Sequence, residues 1–583
     1  MIARALVCLL VLASAHALAS DSRSRIDWKD WTPESLEAAK KSGKLMVLDL
    51  VAVWCHWCHV MDEKTYSDPR IIEKLGQSFV ALKADQDARP DLSARYGDYG
   101  WPATIFFDSK GRELAYRQGF VEPDEYLALI TKLAARPVPE PAAKAAAGKK
   151  REYAKSPSLA GDLESRLRAR HVELYDPKNH GWGTGHKYLD WNSVEYSMVM
   201  SRRGEASQSK MARETLQAEL ALLDPVWGGV FQYSTHGDWN HPHFEKIMEY
   251  QAAILRAYSL AYAQWGNSAD LKAAQAIRGY LKTFLSSPEG AFYVSQDADL
   301  VPGQHSADYF SLPDSERRKR GIPRVDQHVY SRENGWAIQA LVALHAASGE
   351  RDPLEDALRA AAWIEKNRSL APGGFRHDEK DAGGPFLGDT LAMGAAFLAL
   401  YSATGDRAWL AQAEAAGRFI ELRFGGGKGA GYAPALAVDP QRSENIDLAR
   451  FANSLSHYSG KPEFRKIAER AMRFLATPSV ALERRPSGIL LAARELAQAP
   501  VHVTVVGHKD DPAAQALVRA ALALPESYKR IDWWDKREGP MPNPDVQYPE
   551  LAKAAAFACT QGRCSLPVFK PDALARTVQK FYQ

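Results

Sequence analysis

Five glycines, Gly204, Gly266, Gly349, Gly405 and Gly460, are each followed eight residues later by an alanine: Ala212, Ala274, Ala357, Ala413 and Ala468. Around each pair the layout is helix, glycine turn, helix, and successive glycines lie 62, 83, 56 and 55 residues apart. Glycine suits the left-handed position that closes a helix, and a small alanine lets the returning helix pack closely. The other ends of these hairpins rhyme as glycine–aromatic turns, among them Gly181-Trp182, Gly229-Val230-Phe231, Gly290-Ala291-Phe292 and Gly374-Phe375. A lone hairpin leaves one apolar face uncovered, so stacked hairpins of this period predict closure into an (α/α)6 toroid. The toroid is expected over 158–499, with the long interval holding an insertion at 301–326 over its mouth.

Residues 1–19 read as a cleavable export signal: Arg4, an apolar stretch at 5–15 too short to span a bilayer, then Ala17-Leu18-Ala19 before a polar run. The expected location is therefore periplasmic or secreted. Residues 136–157 are rich in Pro, Ala and Lys and read as a linker. Residues 500–583 hold an apolar strand pattern at 501–507, a helix at 511–522 and a further apolar stretch at 554–560, giving a small α/β C-terminal region. The chain carries 74 Lys and Arg against 71 Asp and Glu, a net charge of +3, without a basic block that would favour nucleic acid. No apolar run long enough to span a membrane follows the export signal.

Removing Cys8 with the signal leaves four cysteines in two close pairs. One lies in a mixed α/β segment at 24–135. There an apolar strand pattern at 45–53 runs directly into Trp54-Cys55-His56-Trp57-Cys58-His59 and then a helical pattern. A Cys-x-x-Cys at a helix N-terminus sets its first sulfur beside unpaired N–H groups and the positive end of the dipole, which favours the thiolate. Cys55 is thus the expected nucleophile and Cys58 the resolving thiol, provided the sulfur can be reached. Asp49, on the buried strand, is placed to take the Cys58 proton. His56, Trp54 and Trp57 flank the sulfurs as tuning and presenting residues, and Pro102, before the strand pattern at 104–108, is placed to expose backbone to an extended thiol substrate. Cys-x-x-Cys-His also matches a haem-attachment pattern, but it follows a buried strand with no cytochrome-like helical segment around it. A zinc site from Cys55, Cys58 and His56 or His59 lacks a second ligand pair at suitable spacing, so no metal and no cofactor are expected. A purely structural Cys55–Cys58 disulfide is the remaining alternative.

The order strand, Asp49-x5-Cys55-x-x-Cys58, helix, strand, Pro102 and hairpin resembles the thioredoxin superfamily. Residues 55–61, Cys-His-Trp-Cys-His-Val-Met, together with Arg89-Pro90-Asp91 and Gly100-Trp101-Pro102, are similar to the spermatogenesis-associated protein 20-like thioredoxin-domain family. That resemblance implies a thioredoxin-like domain followed by a six-hairpin glycosidase-like toroid. It also matches the family's His-Phe-Glu-Lys segment to residues 243–246.

Polar residues collect on the glycine–aromatic side of the toroid. His243 and Glu245 follow the second such turn, Asp297 and Asp299 the third, Trp336 opens the next helix and Asp389 follows the fourth turn. Carboxylates around a cavity suit acid–base chemistry on a carbohydrate or another small ligand, and aromatics suit sugar stacking. The expected function is an exported thiol–disulfide oxidoreductase acting on protein clients, with the toroid binding client or ligand. The alternatives are a carbohydrate-active or epimerase-like enzyme in the toroid and a non-catalytic binding protein. Cys559 and Cys564, across a short turn, are expected to form a structural disulfide.

Overall fold

The computed structural model describes residues 25–141, 152–381, 383–426, 429–435, 438–560 and 563–580. The expected export signal and the middle of the expected linker lie outside the described residues.

The first unit contains β1 (Lys29–Asp30), α1 (Pro33–Ser42), β2 (Leu45–Val51), α2 (His56–Lys64), α3 (Pro69–Ser78), β3 (Phe79–Asp85), α4 (Pro90–Tyr96), β4 (Ala103–Phe107), β5 (Glu113–Gln118) and α5 (Pro123–Ala135). Its sheet runs β1-β3-β2-β4-β5, with β1, β3 and β2 parallel and β4 and β5 antiparallel. Central β2 is buried from Met46 to Leu50. Helices cover both faces, so its residues, Asp49 excepted, are apolar on both sides and do not alternate. Val47 and Phe106 pack with Ile71 of α3 and Tyr126 of α5. Met46, Leu48 and Ile105 pack on the other face with Ala39 of α1 and Leu92 of α4. This is a thioredoxin-like fold.

The toroid is built from α6 (Gly161–Glu173), α7 (Trp191–Arg202), α8 (Ala206–Glu219), α9 (Met248–Trp265), α10 (Ser268–Phe284), α11 (Asp314–Arg320), α12 (Ser331–Ser348), α13 (Asp352–Arg368), α14 (Leu387–Thr404), α15 (Arg407–Phe424), α16 (Arg442–Ser459), α17 (Pro462–Leu475) and α18 (Ser487–Ala497). Helices α7, α9, α12, α14, α16 and α18 touch in turn and close an inner ring, each backed by an outer helix. The outer partner of α18 is α6, from the start of the unit. The sixth hairpin is therefore split between the two ends of the segment, which is why only five glycine–alanine pairs recur. Gly266, Gly349, Gly405 and Gly460 take the left-handed cap at the ends of inner helices. The five paired alanines are all fully buried in the outer helices. A larger side chain there would force the two rings apart.

The insertion carries α11 and is pinned to the ring by charge. Arg317 of α11 and Lys246 both reach Asp224 at 2.7 Å, and all three side chains are buried. The C-terminal unit has a separate core around β6 (Val501–Val506), α19 (Pro512–Leu522), β7 (Lys529–Trp534), β8 (Ala555–Thr560), β9 (Arg563–Cys564) and α20 (Pro571–Lys580). Its sheet order is β7-β6-β8-β9. It docks where the inner helices end: Lys509 donates to the carbonyl of Gly405, and Tyr401 donates to Asp532. Cys559 and Cys564 sit opposite each other on β8 and β9 and are bonded.

The thioredoxin-like domain covers the opposite mouth, where the inner helices begin. Arg484, just before α18, pairs with Asp98, and His377, beside α14, bonds the Asp87 carbonyl at 2.7 Å.

Candidate redox site

Strand β2 delivers the chain to a tight turn in which the Cys55 N–H bonds the Ala52 carbonyl, and α2 starts at His56. Cys55 is the N-cap residue. Its Sγ accepts the Cys58 N–H at 3.1 Å and is bonded to the Cys58 sulfur. Cys55, and not Cys58, thus faces that N–H and the positive end of the helix dipole; Cys58 lies inside the first turn.

The sulfurs are closed over. Cys55 and Cys58 are each 3% exposed, packed with Ala52, Trp54 and Ile247, and with Trp101 and Tyr250 at the edge. Ile247 and Tyr250 belong to the toroid, so the reachable sulfur expected from the sequence is instead covered by the neighbouring unit. Trp57 is 40% exposed and stacks on Phe120, whereas Trp54 is buried and donates its indole N–H to Asp87 at 2.7 Å. Pro102 is buried behind a cis Trp101–Pro102 peptide. Asp49 is buried on β2 and accepts from the Tyr66 hydroxyl, with the Lys83 ammonium at 3.3 Å. Burial pushes its carboxyl up to about 6, with Lys83 pulling the other way, so it can hold or release a proton near neutral pH.

The two histidines of the motif face the toroid. His56 Nδ1 lies 2.8 and 2.9 Å from the two carboxylate oxygens of Asp299. His59 Nε2, one turn further along α2, is 2.9 Å from Asp297. Burial opposes the His59 cation, but Asp297 and then Asp299 outweigh it and hold its pKa above the ordinary value. Glu245 is buried, and one of its oxygens has no hydrogen-bond partner. Burial, with smaller pushes from Asp297 and Asp299, lifts its carboxyl to about 7. His243 stacks on Tyr233 at 4.3 Å, and burial, then the His305 and His56 charges, hold it down to about 4. Trp336 lies under the Arg332 guanidinium, and Asp389 bonds His377 at 2.8 Å.

A cavity of about 1650 Å³ separates the thioredoxin-like domain from another part of the mouth, lined among others by Trp31, Tyr99, Arg112, Trp191, Arg442 and Arg485. None of Cys55, Cys58, His243, Glu245, Asp297, Asp299, Trp336 or Asp389 lines it.

A family model described as Thioredox_DsbH, protein of unknown function DUF255, matches residues 9–130. Human spermatogenesis-associated protein 20 is 27% identical over 314 residues, 48% of this chain and 39% of its own length. The chain is thus similar to spermatogenesis-associated protein 20 over about half of its own length. Its match spans about two-fifths of that curated relative. The thiol:disulfide interchange protein DsbD of Ralstonia nicotianae is 36% identical over 102 residues, covering 17% of each chain. Among solved structures, a D-mannose isomerase aligns with 58% of this chain and 98% of its own at TM-score 0.45 and 12% identity.

Sequence reasoning singled out Asp389 but missed its neighbours. Arg332 and Glu333 open α12, and Glu444 opens α16; the Arg332 N–H donates to Asp389, and its guanidinium bonds Glu333 at 2.6 Å. Asp389, Glu333 and Glu444 each keep one buried oxygen without a hydrogen-bond partner. Burial lifts Glu444 to about 7, with Arg332 opposing and Asp389 adding. The signal was present: Glu249, Glu333, Asp389 and Glu444 are first-turn acids of successive inner helices. A helix N-terminus favours a carboxylate there, and ring closure points those turns at one mouth.

Proposed function

We propose that this chain is an exported thiol–disulfide oxidoreductase in which Cys55 exchanges with the client and Cys58 resolves. The observation that carries the reading is the Cys55 sulfur at the N-cap of α2, bonded to Cys58 and accepting its N–H. A client thiolate attacks Cys55, the Cys55–Cys58 bond breaks, and Cys58 leaves as a thiolate that takes a proton. A second client thiol, losing its proton, attacks the client sulfur of the mixed disulfide and releases Cys55 as a thiolate. The client is then oxidised and the pair reduced by two electrons; the reverse sequence reduces a client disulfide. Asp49 is the proton reservoir beneath the site. The toroid acts as a cover that admits clients when the thioredoxin-like domain lifts from its mouth, and the 1–19 signal sends the chain to the periplasm or outside the cell.

The test is turnover in insulin reduction and in dithiol oxidation by the full chain. Activity in either that disappears in Cys55→Ser supports the reading, and absence of both in the wild type, with the pair intact, overturns it.

A second reading, acid–base chemistry on a carbohydrate within the toroid, is favoured by the unpartnered oxygens of Glu333, Asp389 and Glu444 around Arg332. Sugar turnover lost in Glu444→Gln and kept in Cys55→Ser would select it.

A further inference from the structure

The Cys-x-x-Cys-His motif has no second ligand pair nearby in sequence, but the fold supplies one 238 residues away. His59, Asp297 and Asp299 each offer a ligand atom, and the three atoms lie within 4.8 Å of one another. Two donors bound to one ion at about 2.1 Å stand roughly 3.0–3.4 Å apart for angles between octahedral and tetrahedral. The 2.9 Å from His59 Nε2 to Asp297 Oδ2 is close to that spacing. The loop also orients its carboxylates as an outer shell would. Asp297 accepts the Asp299 N–H at 3.0 Å, Asp299 accepts the Gly303 N–H at 2.8 Å, and His56 Nδ1 lies within hydrogen-bond distance of both Asp299 oxygens.

Two histidine–carboxylate pairs would account for His56, His59, Asp297 and Asp299 without an ion. They do not account for Glu245. Its carboxyl is 4% exposed, has an oxygen with no partner, and sits close enough to Asp297, Asp299 and His56 for each to act on its charge. A cation bound beside Asp297 and Asp299 would favour the charged form of this buried carboxyl.

We propose that His59, Asp297 and Asp299 form a binding site for one divalent transition-metal ion, with His56 bonded to Asp299 and the buried Glu245 carboxyl nearby. Mixed imidazole and carboxylate donors suit zinc or manganese better than calcium or magnesium. The ion joins the helix that carries Cys55 to the toroid, and it binds whether or not the disulfide turns over.

The test uses the full-length chain, stripped with a chelator and titrated calorimetrically with zinc chloride and separately with manganese chloride. One saturable equivalent per chain is expected, weakened at least tenfold in Asp297→Asn and in Asp299→Asn, with circular dichroism unchanged. Zinc should raise the unfolding midpoint of the wild type and not that of Asp297→Asn. The exposed His236 and His241, whose rings are 4.7 Å apart, are the competing zinc site. Absence of saturable binding by either ion overturns the proposal. So does binding that persists in Asp297→Asn and disappears in His241→Asn.

Discussion

His377 is the most direct handle on whether the buried disulfide is reached by lifting one domain off the other. Its ring is buried between two acceptors: Nδ1 is 2.8 Å from the Asp389 carboxylate, and Nε2 is 2.7 Å from the carbonyl of Asp87. Neither partner can donate, so both nitrogens carry hydrogen and the ring is a cation. Burial works against that charge, but Asp389, helped by Glu333, more than offsets it and brings the imidazole to about 9. His377→Asn keeps a donor where Nδ1 lies and removes the one aimed at Asp87. A hydrogen bond from a charged donor contributes about 1.5–3 kcal/mol, so domain separation becomes about ten to 150 times more frequent. The assay is reduction of Cys55–Cys58 by dithiothreitol at fixed pH, followed by alkylation and mass measurement. A rate within twofold of wild type, in a variant whose circular dichroism is unchanged, refutes the reasoning. The sulfurs would then be exposed by local movement of Ile247 and Tyr250 and not by domain separation.

The same histidine makes stability depend on pH. Its folded pKa of about 9 lies above the ordinary 6.5, so its contribution is complete below pH 6.5 and is lost as pH rises through 9. That difference corresponds to about 3 kcal/mol, read as the gap between wild type and His377→Asn in urea unfolding, wide at pH 6 and closed near pH 10. Asp224→Ala strands Lys246 and Arg317, each fully buried, and is expected to cost about 3–5 kcal/mol. Urea unfolding measures this loss, and a cost below about 1 kcal/mol would mean that the insertion is not held by charge.

Much of the fold could be read before any coordinates because its determinants are local. Thr32-Pro33 starts α1 and Gly43 closes it with φ 69°, as the cap residues predict. The first-turn acids show the limit of such reading. Asp389 stands out in the sequence only because a glycine directly precedes it after a glycine–aromatic turn, and no such neighbour marks Glu333 or Glu444. Ring closure turns all three inward, and a sequence period cannot reveal which face of a helix will meet the axis. The split sixth hairpin is the same problem at larger scale, since α6 and α18 share no turn.

The amino-acid order alone determined that a sulfur would cap a helix after a buried strand, and that glycine-closed, alanine-backed hairpins would form a ring. Those outcomes depend on residues within a turn or two of one another, where backbone geometry and helical periodicity act. Only the tertiary structure decided that the toroid would close over Cys55, and that His56 and His59 would meet Asp299 and Asp297. Contacts between separately formed units depend on shape and charge across a surface, and no local pattern records them.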